Sequence, residues 1–273
     1  MLSLTGRQND IVQAARNSGR VTVEGLATLF DVTPQTIRKD LNELCERNVL
    51  KRIHGGAVIS SSVENVSYEA RRFISADEKR AIGIASAQQI PNGSSLFINI
   101  GTTTEEVANA LINHQNLLVI TNNLNVAMTL HRRSSIEVIV VGGPVRRTDG
   151  AVVGGGAVEM IRQFKVDTAV IGASAIDPDG SLLDFDMQEV QVSRAIIDNA
   201  RRVLLACDQT KFDRTAPVRI GHISEVQTFV TDRLVSAALQ QICQANGVQV
   251  IETAVGDNFG YEDQKTGRNI PAR

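Results

Sequence analysis

The sequence is poor in the features that mark secreted, membrane-bound or metal-dependent proteins. Its three cysteines, Cys45, Cys207 and Cys243, are odd in number and have no close spacing, which argues against a disulfide framework and a zinc site. They read as reduced thiols, and His114, His131 and His222 show no ligand spacing. No run approaches the apolar length needed to cross a bilayer, and the first residues lack the apolar core of a signal peptide. No membrane partner is therefore expected, and the cytoplasm is the default location. Neither a Walker A loop nor a Gly-x-Gly-x-x-Gly fingerprint occurs, and no cofactor is expected. Charge of one sign is also missing: the net value is −2 over 273 residues, so nothing global marks a nucleic-acid binder.

Charge has to be read by region. Through Val58 there are eight basic residues against six acidic ones, a mild basic excess that suits a small DNA-binding module and is also unremarkable in any domain. Periodicity predicts a helix over Arg7–Ser18, a short strand Val21–Val23, a second helix Glu24–Phe30 and a turn at Asp31-Val32. A third helix follows, with Thr33 as N-cap and Pro34 at its first position. Ile37, Leu41, Leu44 and Cys45 share its inner side. Gln35 and Thr36 then sit where side chains of a recognition helix reach base edges, while Arg38 and Lys39 supply charge for phosphate. Val49–Ile59 alternates around Gly55-Gly56 and predicts a hairpin wing, from which Arg52 and His54 can reach a groove or the DNA backbone. A trihelical interaction domain with an exposed polar helix is the competing account, and His54 alone reads equally as a surface histidine.

Periodicity fades between Ser60 and Ala76, which predicts a linker over 60–76. Beyond it seven apolar runs alternate with helical stretches: Ser95–Ile100, Leu117–Thr121, Ile136–Val141, Thr168–Gly172, Val203–Ala206, Thr228–Thr231 and Val248–Ile251. Such alternation predicts an α/β domain over 77–252 with a mainly parallel, doubly covered sheet. After it, 253–273 is polar and reads as a disordered tail. The expected organisation is thus a DNA-binding domain over 1–59, a linker, a large domain and a tail.

Gly101, Thr102 and Thr103 follow the first of these strands and open a helix. A glycine there lets an anion approach the backbone, and the following N–H groups, the helix dipole and the hydroxyls attract it. The plain alternative is a strand-to-helix turn capped by threonine. Thr121-Asn122-Asn123, Gly142-Gly143 and Gly172-Ala173-Ser174 also follow strands, so polar loops converge on the carboxyl edge, where open α/β sheets bind ligands. Lys211 comes just after the strand Val203–Ala206 and reads either as a cation at the same edge or as a solvated loop charge. Asp177, Asp179, Asp184, Asp186 and Glu189 form an acidic region that suits acid–base chemistry, or simply turns and a helix N-terminus.

The run Thr33–Leu41, the wing residues Arg52-Ile53-His54-Gly55-Gly56-Ala57, and the large-domain stretches Ile98–Thr103, Thr121–Leu124, Gly142-Gly143, Asp149-Gly150 and Asp208–Phe212 closely resemble the DeoR family of bacterial regulators. The resemblance covers nearly the whole chain up to the tail. It implies a winged helix-turn-helix followed by a sensor related to ribose-5-phosphate isomerases, assembled as a homo-oligomer, dimer or tetramer. It further implies that Gly101, Thr102 and Thr103 hold a phosphate while Asn122, Asn123, Gly142, Gly143 and Lys211 complete the pocket. The function so implied is a repressor that binds operator double-stranded DNA and releases it when a phosphorylated sugar or polyol enters, glycerol 3-phosphate being the favoured effector. The rival is a sugar-phosphate isomerase fused to a DNA-binding domain. Isomerisation needs a base, which Asn99 cannot be and Asp184 or Glu189 could.

Overall fold

The chain is described here by a computed structural model over residues 4–18, 20–47, 49–59, 65, 67–212 and 214–253. The first elements are α1 (Gly6–Ser18), β1 (Arg20–Thr22), α2 (Val23–Phe30), α3 (Pro34–Glu46), β2 (Leu50–Ile53) and β3 (Gly56–Ile59). Thr22 caps α2 by accepting the Gly25 N–H at 3.1 Å, which is why the strand stops one residue earlier than apolar patterning predicts. Asp31 ends α2 in the left-handed region with φ 51°, and Thr33 caps α3 by accepting the Thr36 N–H at 3.3 Å. These two ends fix the tight turn between the helices. Ile37, Leu41 and Leu44 are fully buried against Ile11, Ala15 and Leu26. Arg7 Nε on α1 meets Asp40 at 2.6 Å and Gln8 donates to Glu43 at 2.7 Å, pinning the inner side of α3 and leaving its opposite side to solvent. In the wing β3 pairs antiparallel with both β2 and β1. Gly56 backs so closely on β1 that a Cβ there would lie 1.9 Å from the Val21 carbonyl oxygen.

The large domain follows as α4 (Tyr68–Phe73), α5 (Ala76–Ala87), β4 (Ser95–Ile98), α6 (Thr102–Ala110), β5 (Leu117–Thr121), α7 (Leu124–Leu130), β6 (Ile136–Val140), α8 (Gly155–Ile161), β7 (Val166–Ile171), β8 (Ala175–Ile176), β9 (Ser181–Asp184), α9 (Met187–Asp198), β10 (Ala200–Ala206), β11 (Val218–His222), β12 (Thr228–Thr231), α10 (Ala237–Ala245) and β13 (Gln249–Glu252). Seven strands form one sheet in the order β13-β12-β10-β7-β4-β5-β6, and every described pairing in it is parallel. Alternate side chains feed two cores. Leu96, Ile98, Val119, Val170, Leu204 and Val230 pack with α5, α6 and α7; Phe97, Ile120, Ala169, Ile171, Leu205 and Phe229 pack with α8, α9 and α10. From β4 the chain winds outward through β5 and β6, then returns to β7 and winds the other way. The sheet therefore changes direction between β4 and β7, which opens a crevice at their carboxyl ends.

Two features differ from the sequence-based expectation. A small antiparallel sheet, β11-β9-β8, stands beside the large one; its strands are short, and only the turn residues Asp177-Pro178-Asp179-Gly180 signal it. The stretch read as a linker contains a helix, α4. Of the expected tail only Thr253 is described, and it donates to Thr231 O at 2.8 Å. Its remainder, and residues 60–64 and 66 of the expected linker, lie outside the described residues.

Candidate anion site and DNA-reading face

The glycine-threonine turn sits on one side of the crevice. Gly101 has φ 145°, a conformation open to glycine and strained for other residues, and it lets the chain turn sharply from β4 into α6. Thr104 locks that turn, its hydroxyl donating to Asn99 O at 2.7 Å and Gly101 O at 2.8 Å. Thr102 and Thr103 are buried in the first helical turn, where backbone N–H groups lack intrahelical acceptors. Neither hydroxyl makes a hydrogen bond among the described residues. Asn99 is occupied, donating to Ser193 Oγ at 2.8 Å and accepting the Ile100 N–H at 2.8 Å.

Four cations from other elements lie within electrostatic reach of one another: Arg71 on α4, Lys79 on α5, and Lys211 and Arg214 after β10. Lys211 is 9% exposed, so it is no solvated loop charge, and among the described residues its ammonium makes no hydrogen bond or ion pair. Burial lowers its pKa, Asp208 opposes that shift, and Arg214 and Arg71 add to it. Lys79 is brought down to about 8 by burial, against Asp208 and with help from Lys211 and Arg71. Its ammonium donates to the carbonyls of Ile74, at 2.6 Å, and Arg71. Asp208 is the central counter-charge. Burial alone would raise its carboxyl, but Lys211, Lys79 and the hydrogen bonds from Thr210 hold it low. One of its oxygens has no hydrogen-bond partner.

Beside this cluster stands a second one. Arg146 holds Asp149 at 2.6 Å, Asp186 at 2.6 Å and Glu189 at 2.6 Å, and Arg71 reaches Asp149 at 3.6 Å. Burial first, and repulsion from Asp184 second, push Glu189 up to about 7 in spite of Arg146.

All eight residues expected in the pocket lie at the carboxyl edge, but not equally close together. Gly101–Thr103 and Lys211 flank the strand between them, β7. Asn122, at the end of β5, is fully buried; its amide donates to Val152 O at 3.4 Å and its oxygen is unpartnered. Asn123 is spent on structure, capping α7 by accepting the Asn125 N–H at 2.9 Å and donating to Glu105 at 3.1 Å. Gly142 and Gly143 follow β6, and the Gly142 N–H points to Met160 Sδ at 3.3 Å. Four strand intervals, about 19 Å at normal spacing, lie between β6 and β10, more than a three-carbon phosphate can bridge.

Arg71, Lys79, Asp208, Arg214 and Arg146 were not among the expected site residues. Lys79 carries a signal, since it shares the buried side of α5 with Ile82, Gly83 and Ser86, an unusual place for a lysine without a partner. Arg71 and Arg214 carry none, because their role depends on contacts far apart in sequence.

On the other domain, Thr33, Gln35, Arg38 and Lys39 are exposed along the outer side of α3, with Thr36 half-buried; Arg52 and His54 are exposed on the wing. Arg38 and Lys39 make no ion pair among the described residues. The outer side therefore presents free cations beside polar side chains.

Residues 7–63 match the model of the DeoR-like helix-turn-helix domain and residues 74–233 that of the DeoR C-terminal sensor domain. The chain is 46% identical over 246 residues to the glycerol-3-phosphate regulon repressor of Escherichia coli, covering 90% of this chain and 98% of that protein. It is 47% identical over 225 residues to the protein of the same name from Haemophilus influenzae, covering 82% and 88%. Among solved structures, ribose 5-phosphate isomerase A from Methanocaldococcus jannaschii overlaps 50% of this chain and 55% of its own, at 14% identity and a TM-score of 0.38.

Proposed function

The chain belongs to the DeoR family of transcriptional regulators, and from that premise we propose that it represses a glycerol-phosphate regulon, with glycerol 3-phosphate as the effector that releases it from operator DNA. The observation that carries the effector reading is the cluster of two buried cations, Lys211 and Lys79, with half-buried Arg71 and Arg214, at the edge that also bears the glycine-threonine turn, by the switch point of a parallel sheet. Burying cations with too few counter-charges is costly unless an anion joins them. In this reading Gly101, Thr102, Thr103 and Lys211 take the phosphate and Asn122 accepts from a hydroxyl, while Asn123, Gly142 and Gly143 build the outer wall. Thr33, Gln35, Thr36, Arg38 and Lys39 enter the major groove and Arg52 and His54 follow its edge. The protein acts in the cytoplasm as a homo-oligomer, because paired reading helices match paired half-sites.

An isomerase would need a free base. Glu189 has a suitable pKa of about 7, but its Oε2 is held by Arg146 at 2.6 Å. Sugar phosphates should accordingly bind without being converted.

The experiment is an operator-binding titration against glycerol 3-phosphate. Thr103→Val and Lys211→Ala should each shift release to effector concentrations roughly tenfold to over a hundredfold higher, as expected for a lost charge-assisted contact of about 1.5–3 kcal/mol. Operator affinity without effector should hardly change. Replacing Arg38 and Lys39 together by alanine should do the reverse, weakening operator binding and flattening its salt dependence while effector binding persists. Release of both pocket variants at the wild-type concentration would put the pocket elsewhere.

A further inference from the structure

Between the wing and the large domain, the chain touches the mouth of the crevice at several points. The Asn65 amide donates to Ser174 Oγ at 3.2 Å, and its oxygen accepts from Arg214 at 2.8 Å. The Tyr68 hydroxyl donates to Glu105 at 2.8 Å and accepts from Asn125 at 2.9 Å. Ser174 follows β7, Arg214 follows β10, Glu105 lies in the first turn of α6 after β4, and Asn125 in that of α7 after β5. The contacts thus land on the ends of four adjacent strands, the strands that frame the candidate anion site. Farther along, the carbonyls of Arg71 and Ile74 hold Lys79.

We propose that Asn65 and α4 form a strap over the sensor mouth, and that its docking or release is the step that couples anion binding to operator release. The inference rests on the reading of the carboxyl edge as the effector site. Two observations set the strap apart from a fixed part of the domain. No described residue from 65 to 76 belongs to a hydrophobic core cluster, and Phe73 at its end is 78% exposed. It is held by polar contacts, and elements with few buried apolar contacts open at low free energy. Moreover, the wing strand β3 ends at Ile59, six residues before Asn65, so at most about 20 Å of extended chain separates strap from wing. A shift of the strap is therefore felt by the DNA-reading domain. Entry of an anion among Lys79, Arg71, Lys211 and Arg214 changes the charge balance on which the strap rests, giving the two strap states different affinities for the effector, the condition that any coupling must meet.

The test uses the full-length protein and an operator duplex selected from a randomised pool. Operator affinity is measured without and with saturating glycerol 3-phosphate for wild type, Tyr68→Phe and Asn65→Ala, with thermal unfolding as the check on folding. We expect both variants to bind operator and effector, and the ratio of the two operator affinities to fall at least tenfold below the wild-type ratio. An unchanged ratio overturns the proposal, as does weaker effector binding with full release at saturation, since the strap would then only wall the pocket. Should wild type itself not respond to glycerol 3-phosphate, the effector assignment fails, and the strap is judged by amide exchange over residues 67–74. Exchange that changes in either direction on adding operator supports it and unchanged exchange overturns it, a readout that also serves if a variant does not fold.

Discussion

Glu189 is the carboxylate whose environment most opposes its charge. Burial and Asp184 raise it to about 7 in the folded chain, against about 4.3 when unfolded. The native state thus binds the proton more tightly, and its contribution to stability is complete below about pH 4.3 and lost as pH rises to about 7. Glu189→Gln should remove this part of the pH dependence, seen as a flatter profile of urea midpoints between pH 4.5 and 7.5. An unaltered slope would mean that another group titrates there. How far single residues could be read from sequence varies. The turn at Gly101–Thr103 was legible because its signals are local: a glycine, hydroxyls and a helix start next to one another. Lys211 was legible as a position, although only the structure shows its burial. Arg71 and Arg214 were not, since nothing in their neighbourhoods says that chain segments about 140 residues apart meet at one edge.

Among the elements, the wing makes the sharpest demand on sequence. Gly56 leaves no room for a methyl group against β1, and since the obstacle is backbone, the strand must move. Gly56→Ala should destabilise the N-terminal domain by about 1–3 kcal/mol, as overpacking does, and weaken operator binding with effector affinity intact. Thermal unfolding and operator titration report the two effects. Each of the seven apolar runs read from sequence is a strand of the parallel sheet, and the central ones carry the clearest apolar signal because both their faces are buried. Their ends were less legible. β10 begins at Ala200, ahead of the expected Val203, because Arg202 pairs in register with Thr168 while its side chain remains exposed. α4 was missed for the opposite reason: it is short and buries no apolar stripe, so it has no periodicity to detect.

For the whole molecule, the proposed effector site is a junction of charges from α4, α5 and the segment after β10, and filling it should move a proton. An anion beside Lys79 favours its ammonium form, so above about pH 8, where burial leaves Lys79 largely neutral, glycerol 3-phosphate binding should take up close to one proton. Calorimetry at pH 8.5 in buffers of different ionisation enthalpy measures this uptake, and Lys79→Met should abolish it. Equal heats in every buffer would remove Lys79 from the site.

The order of the strands carries a consequence for synthesis. Every element of the winged domain lies within the first 59 residues and is joined by contacts close in sequence, whereas the crevice needs β7 beside β4 and the turn bearing Lys211 after β10. Local pairings form fast and distant parallel ones slowly, and domains fold as they emerge from the ribosome. The reader is therefore complete about 190 residues of translation before its sensor, roughly ten to forty seconds at elongation rates of about 5–20 residues per second. A chain stalled or cut in that interval retains every element of the reading domain and lacks the site proposed to release it.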